Sequence, residues 1–109
     1  VDNNELQLDG PLTEVMSPYP IGEKFRAFGW NVIEVDGHDV EQLSEAVDLA
    51  SVTKNRPTVI VARTVKGKGV SVFERQVRFH GGKPTEEEWK TAYAELDRRI
   101  AELGGQKHE

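Results

Sequence analysis

Apolar residues along this chain change period several times, and each change marks an element. Ile21, Phe25 and Phe28 recur at helical spacing, with Gly29 following where a left-handed terminating residue is favoured, so a short helix is predicted there. Residues 30–35, Trp-Asn-Val-Ile-Glu-Val, are rich in β-branched and aromatic side chains and stop at Asp36-Gly37, the signature of a strand. Asp39 with Gln42 three residues later fits a reciprocal capping pair, and Val40, Leu43, Val47 and Ala50 share one face of a helix running to about Val52. Residues 57–62 form a near-continuous apolar run, the pattern of a strand covered on both faces in a parallel sheet. Strand, helix, strand implies a right-handed crossover.

The segments around this unit are more irregular. Pro11, Pro18 and Pro20 interrupt any regular element, so residues 11–20 read as a surface loop. Residues 66–84 form a long connection with four glycines, carrying a short extended piece at 70–73. Thr85 and Glu88 make a second capping box, and Trp89, Tyr93, Leu96, Ile100 and Leu103 mark the buried stripe of a final helix over 85–104. Residues 106–109 should fray. The fold class is α/β: a partial open parallel sheet with flanking helices. Ligands of such sheets gather at the carboxyl ends of the strands, and residues 4–6, 36–39 and 64–69 all lie there, which puts three polar segments on one rim.

Composition narrows the function. With 109 residues, one core is the limit. A net charge of −5, from 14 basic and 19 acidic residues, argues against a sequence-independent grip on nucleic acid, although Lys66 and Lys68 give local positive charge for small anions. The absence of cysteine excludes disulfides and thiolate zinc sites and fits a reducing, cytoplasmic setting. No apolar run reaches the roughly 18 residues of a membrane span. A chain that opens on Val1, with a polar turn at residues 2–4 and no apolar strand before it, reads as a cleaved or truncated fragment.

Candidate chemistry begins with Asn4 and Leu6, which offer a side-chain amide oxygen and a backbone carbonyl. Both are hard donors suited to Mg2+ or Ca2+, and too few to hold either alone. The simpler reading of Asn4 is a polar turn residue. His80 in its Gly-Gly setting is equally a surface imidazole. Gly67-Lys68-Gly69 lacks the spacing of a nucleotide P-loop and reads as a mobile loop, while Glu86, Glu87 and Glu88 complement the dipole of a helix start. His38 is a capping or surface group, and His108 has no supporting neighbours.

In order, the chain offers Asp2-Asn3-Asn4-Glu5-Leu6-Gln7-Leu8-Asp9-Gly10, Phe25-Arg26-Ala27-Phe28-Gly29-Trp30, Val35-Asp36-Gly37-His38-Asp39, Pro57-Thr58 with Arg63-Thr64-Val65-Lys66-Gly67-Lys68-Gly69, and Phe79-His80-Gly81-Gly82. This series resembles the downstream half of the thiamine diphosphate-binding region of transketolases, and most closely the split form in which the diphosphate-binding half is a separate polypeptide. The resemblance implies that Asn4 donates its side-chain oxygen and Leu6 its carbonyl to Mg2+ on the cofactor diphosphate, with Ca2+ able to substitute. It implies that His80 contacts both diphosphate and sugar substrate and can shuttle a hydroxyl proton. The family's metal-binding aspartate lies upstream of these phrases, and its activating glutamate belongs to a pyrimidine-binding domain across a dimer interface.

The resemblance therefore implies part of a larger dimeric or heterotetrameric assembly. That assembly would hold the rest of the pyrophosphate domain and a pyrimidine-domain chain or subunit, act on sugar phosphates in the pentose phosphate pathway, and leave this chain without turnover by itself. Two alternatives stay open: another thiamine enzyme such as a deoxyxylulose-phosphate synthase, and a non-catalytic interaction module.

Overall fold

A computed structural model describes residues 1–105, and the chain divides into two compact units, Val1–Thr64 and Val65–Glu109. The expected fraying of residues 106–109, and His108 with it, lie outside the described residues.

The first unit runs β1 (Asp2–Asn3), β2 (Leu6–Gln7), β3 (Gly10–Pro11), α1 (Leu12–Val15), α2 (Ile21–Ala27), β4 (Asn31–Asp36), α3 (Val40–Val52) and β5 (Thr58–Arg63). Three of the strands form a parallel sheet in the order β1-β5-β4, with Asn31 opposite Thr58, Asp36 opposite Arg63 and Asn3 opposite Arg63. The α/β class with a parallel sheet and flanking helices is the one the periodicity predicts. Both main strands sit one residue later than the apolar runs suggest. Trp30 is excluded from β4 because its N–H turns back to the Phe25 carbonyl at 3.1 Å and its ring meets Phe25 edge-on at 5.2 Å, closing the end of α2.

The core is small, consisting of Val35, Val59, Val61 and Ala46 in this unit. α2 seats Gly22 on the sheet so closely that a Cβ there would come 2.4 Å from Glu34 Oε1 and 3.3 Å from Val32 Cγ1. A methyl group there would require the Glu34 carboxylate to swing aside and Val32 to yield by a few tenths of an ångström, and glycine lets α2 rest on the strand with neither adjustment. Phe28 does not share the buried face expected of it; it is the C-terminal cap of α2 and exposed. On α3 the seated residue is Ala46, with Leu43 and Ala50 half-buried, whereas Val40 and Val47 are in water. The contact stripe is thus rotated toward small side chains. Within residues 11–20, Pro11 ends β3 and caps α1, a position where its missing N–H costs nothing.

In the second unit a 3₁₀ turn at Val77–His80 precedes the long helix α4 (Glu86–Gly105). Residues 70–73 are turns rather than the expected extended piece. Val70 N–H bonds the Gly67 carbonyl at 3.3 Å, Phe73 N–H the Val70 carbonyl at 2.9 Å, and Arg75 N–H the Lys66 carbonyl at 2.9 Å. Gly67 and Gly69 curl the chain with φ of +75° and +102°. The expected buried stripe of α4 is also corrected. Ala92 and Glu95 are the buried residues, and Trp89, Tyr93, Leu96, Ile100 and Leu103 are exposed. Polar anchoring decides which face turns inward: Glu95 accepts from the Ser71 N–H and hydroxyl at 2.9 and 2.7 Å and from Arg99 at 2.7 Å, and Arg99 also holds the Gly69 carbonyl at 2.7 Å.

Candidate functional site

Because β1, β5 and β4 are parallel and in register at Asn3, Arg63 and Asp36, their carboxyl ends share one edge of the first unit. The chain leaves that edge at Asn4, Thr64 and Gly37. Cross-links tie the three exits together. Thr64 N–H donates to the Asn3 carbonyl at 3.2 Å, its hydroxyl donates to Asp2 Oδ1, and Gly37 N–H donates to the Arg63 carbonyl at 2.8 Å. A Cβ on Gly37 would sit 2.5 Å from Thr64 Cγ2 and 3.0 Å from the Arg63 carbonyl, so the β4 exit can approach β5 only as glycine.

Asn4 is half-buried in this rim and its Oδ1 accepts the Leu6 N–H at 3.0 Å, an Asx turn that carries Glu5 through a left-handed φ of +65°. The turn reading and the ligand reading of Asn4 are therefore compatible. A carboxamide oxygen has two lone pairs, and the turn uses one. Leu12 N–H donates to the Glu5 carbonyl at 2.9 Å, so Leu6 and Pro11 face each other as a non-hydrogen-bonded pair and the Leu6 carbonyl points away from β3. The structure thus brings the Asn4 and Leu6 oxygens into one short turn, and their hard, neutral donor chemistry fits Mg2+ or Ca2+. Among the described residues no group of three or more His, Asp or Glu side chains could hold a metal ion by itself. An ion here would need diphosphate oxygens, water and further protein ligands.

His80 belongs to the second unit, at the end of the 3₁₀ turn, and is exposed. Its neighbours in sequence fix its backbone. Phe79 meets Phe73 edge-on at 4.9 Å, the Arg78 guanidinium lies 4.1 Å over the Phe79 ring, and Arg78 pairs with Glu88 of α4. Gly82 N–H returns to the Arg78 carbonyl at 2.9 Å, where a Cβ would come within 2.5 Å of that oxygen. A cavity of about 340 Å³ opens beside this turn, lined by Lys66, Gly67, Phe73, Phe79, Gly82 and Trp89. Its walls are aromatic, with a lysine and two glycines at the edge.

Two carboxylates are tuned by hydrogen bonds. The Ser71 hydroxyl and N–H, helped by Arg99, hold the Glu95 carboxyl below the usual range; the Gln42 N–H and side-chain amide do the same for Asp39. The Asp39 cap differs from the expected reciprocal box. Gln42 Nε2 returns to Asp39 Oδ2 at 2.8 Å, and Gln42 Oε1 takes the Asp36 N–H at 3.1 Å, so one glutamine locks the β4 exit to the start of α3. His38 N–H bonds Asp36 Oδ1 at 2.9 Å. Sequence reasoning missed the Asp2–Thr64 bond and the Tyr19 hydroxyl on Asn3 Oδ1 at 2.9 Å, beside a cleft of about 260 Å³ that also borders Glu34 and Arg63. These contacts span 62 and 16 positions and needed the strand register to become visible.

The first unit is an open parallel α/β sheet with polar oxygens on its carboxyl edge, the place where ligands of such sheets gather. Residues 1–102 match the transketolase thiamine diphosphate binding domain, and the chain belongs to that family. It is 41% identical over 100 residues to a 6-deoxy-6-sulfo-D-fructose transketolase subunit of a Clostridium species, with 92% of this chain and 36% of the relative covered. It is 36% identical over 103 residues to an apulose-4-phosphate transketolase subunit of Phocaeicola vulgatus, covering 94% of this chain and 37% of the relative. The transketolase structure from Campylobacter jejuni superimposes with a TM-score of 0.74 at 28% identity, over 84% of this chain and 14% of that one. The chain spans just over a third of the length of these two curated relatives.

Proposed function

We propose that this chain supplies part of the diphosphate-binding half of a split-type transketolase that moves a two-carbon ketol unit between ketose and aldose phosphates. The observation that carries the reading is the Asn4 turn: a half-buried carboxamide at the carboxyl end of β1, one lone pair on Leu6 N–H and the other available to a cation. Thiamine diphosphate, when bound, would supply the electron sink that ketol transfer requires. The chain's own residues position and polarise. Asn4 and the Leu6 carbonyl would hold Mg2+ with the diphosphate, the Asp2–Thr64 and Asn3–Tyr19 bonds keep that turn in place, and His80 would contact diphosphate and sugar, its imidazole donating to phosphate or carrying a hydroxyl proton.

The word subunit in the names of both relatives supports a partner chain. In this reading the partner carries the pyrimidine-binding half, the assembly is dimeric or heterotetrameric and cytoplasmic, and the isolated chain is inactive. In the complete assembly, Asn4→Ala should weaken Mg2+-dependent thiamine diphosphate binding by at least about tenfold, read by titration calorimetry. Unchanged cofactor affinity would remove Asn4 from the site and the reading with it.

A further inference from the structure

The exposed apolar residues of α4 are spaced 4, 3, 4 and 3 apart, at Trp89, Tyr93, Leu96, Ile100 and Leu103. That is the a/d seam of a coiled coil. The face that the helix turns to its own loop buries Ala92 and Glu95 and sets Arg99 on Gly69; of the seam, Trp89 also meets Phe73 of that loop, edge-on at 5.6 Å. The seam is well exposed, from 39% at Leu96 to 66% at Ile100 and Leu103. Five side chains of this size leave on the order of 100 Å² each in water, so two copies meeting here would remove on the order of 1,000 Å², the lower edge of specific interfaces.

We propose that α4 pairs with α4 of a second copy of this chain, antiparallel, about a two-fold axis between residues 94 and 95. In that register Tyr93 faces Leu96 of the second copy and Trp89 faces its Ile100. Charge selects this arrangement. The flanking positions beside the seam hold Lys90 and Asp97. Antiparallel pairing sets Lys90 against Asp97 of the second copy on one edge and Asp97 against its Lys90 symmetrically, giving two attractive pairs. Parallel pairing would set Lys90 against Thr85 and Asp97 against Ala92, giving none. Among the described residues of its own helix Lys90 reaches Glu87, at 2.9 Å, and both side chains of that pair are strongly exposed, so that pair holds it weakly. The inference rests on the helix alone and stands whether or not the cofactor reading does.

Sedimentation equilibrium of the full chain tests it. The unaltered chain should show a doubling of its 12.2 kDa mass at micromolar to tens-of-micromolar concentration. Lys90→Asp and Asp97→Lys should each weaken self-association by at least about fivefold. The double variant should recover it, and an equimolar mixture of the two single variants should pair with each other in preference to themselves, an outcome that unfolding cannot imitate. Leu96→Glu, next to the axis, should abolish pairing. A monomeric unaltered chain, as when another subunit or further polypeptide covers the seam, would overturn the proposal, as would charge variants that associate like the unaltered chain.

Discussion

At the scale of single residues, the rim depends on positions whose importance comes from what lies beside them. Asn4 satisfies a turn and still offers an oxygen, so the choice between structure and function that its residue type poses in the sequence dissolves in the geometry. Gly37 is the complementary case. Nothing in its ordinary backbone demands glycine, yet Thr64 Cγ2 and the Arg63 carbonyl occupy the space a methyl group would need. Gly37→Ala should therefore cost about 1–3 kcal/mol by overpacking, read as a lower urea midpoint with an unchanged slope. Equal midpoints would mean that the β4 and β5 exits can separate freely.

At the scale of elements, α3 is held at its start by Asp39, whose carboxyl accepts from Gln42 at both the backbone and the side chain. Those bonds favour the charged form and lower its pKa from the ordinary 3.8. A depressed carboxylate contributes stability above the unfolded value, and that contribution is lost as pH falls through the folded one. Replacing the carboxylate with a neutral carboxamide, Asp39→Asn, keeps the cap while removing the charge. The unaltered chain should therefore be the more stable of the two at neutral pH, and the gap in thermal midpoint should close as acid protonates Asp39. A gap that stays constant down to pH 3 would show that the charge contributes nothing. Capping signals were legible because they act over three residues: Thr85 and Glu88 exchange both bonds of their box, at 2.8 and 3.3 Å. The facing of α3 and α4 was not legible, because helical spacing gives the period of an apolar stripe and leaves open which neighbour it meets. On α4 the decision went to Glu95 and Ser71, a polar pair 24 positions apart.

At the scale of the whole molecule, the proposed function gives the chain two neutral oxygens for a metal, and with no acidic cluster among its described residues that amounts to a share of a site. Mg2+ and thiamine diphosphate should raise the thermal midpoint of the complete assembly, by an amount equivalent to about 2.7 kcal/mol at a hundredfold excess over the dissociation constant. A chelator should reverse the shift. If the cofactor stabilises the assembly equally with the metal removed, the oxygens of the Asn4 turn have no metal to hold.

The sequence by itself determined the α/β class, the existence of the two main strands and three helices, their caps, and the family to which the chain belongs, because propensity, capping and motif spacing are local properties. The tertiary structure alone decided the β1-β5-β4 order, the meeting of Asn3, Asp36 and Arg63 on one edge, the Asp2–Thr64 and Tyr19–Asn3 bonds, and the exposure of the α4 seam. These depend on strand register and on competition between faces for a small core, and both are settled by contacts between residues far apart in the chain.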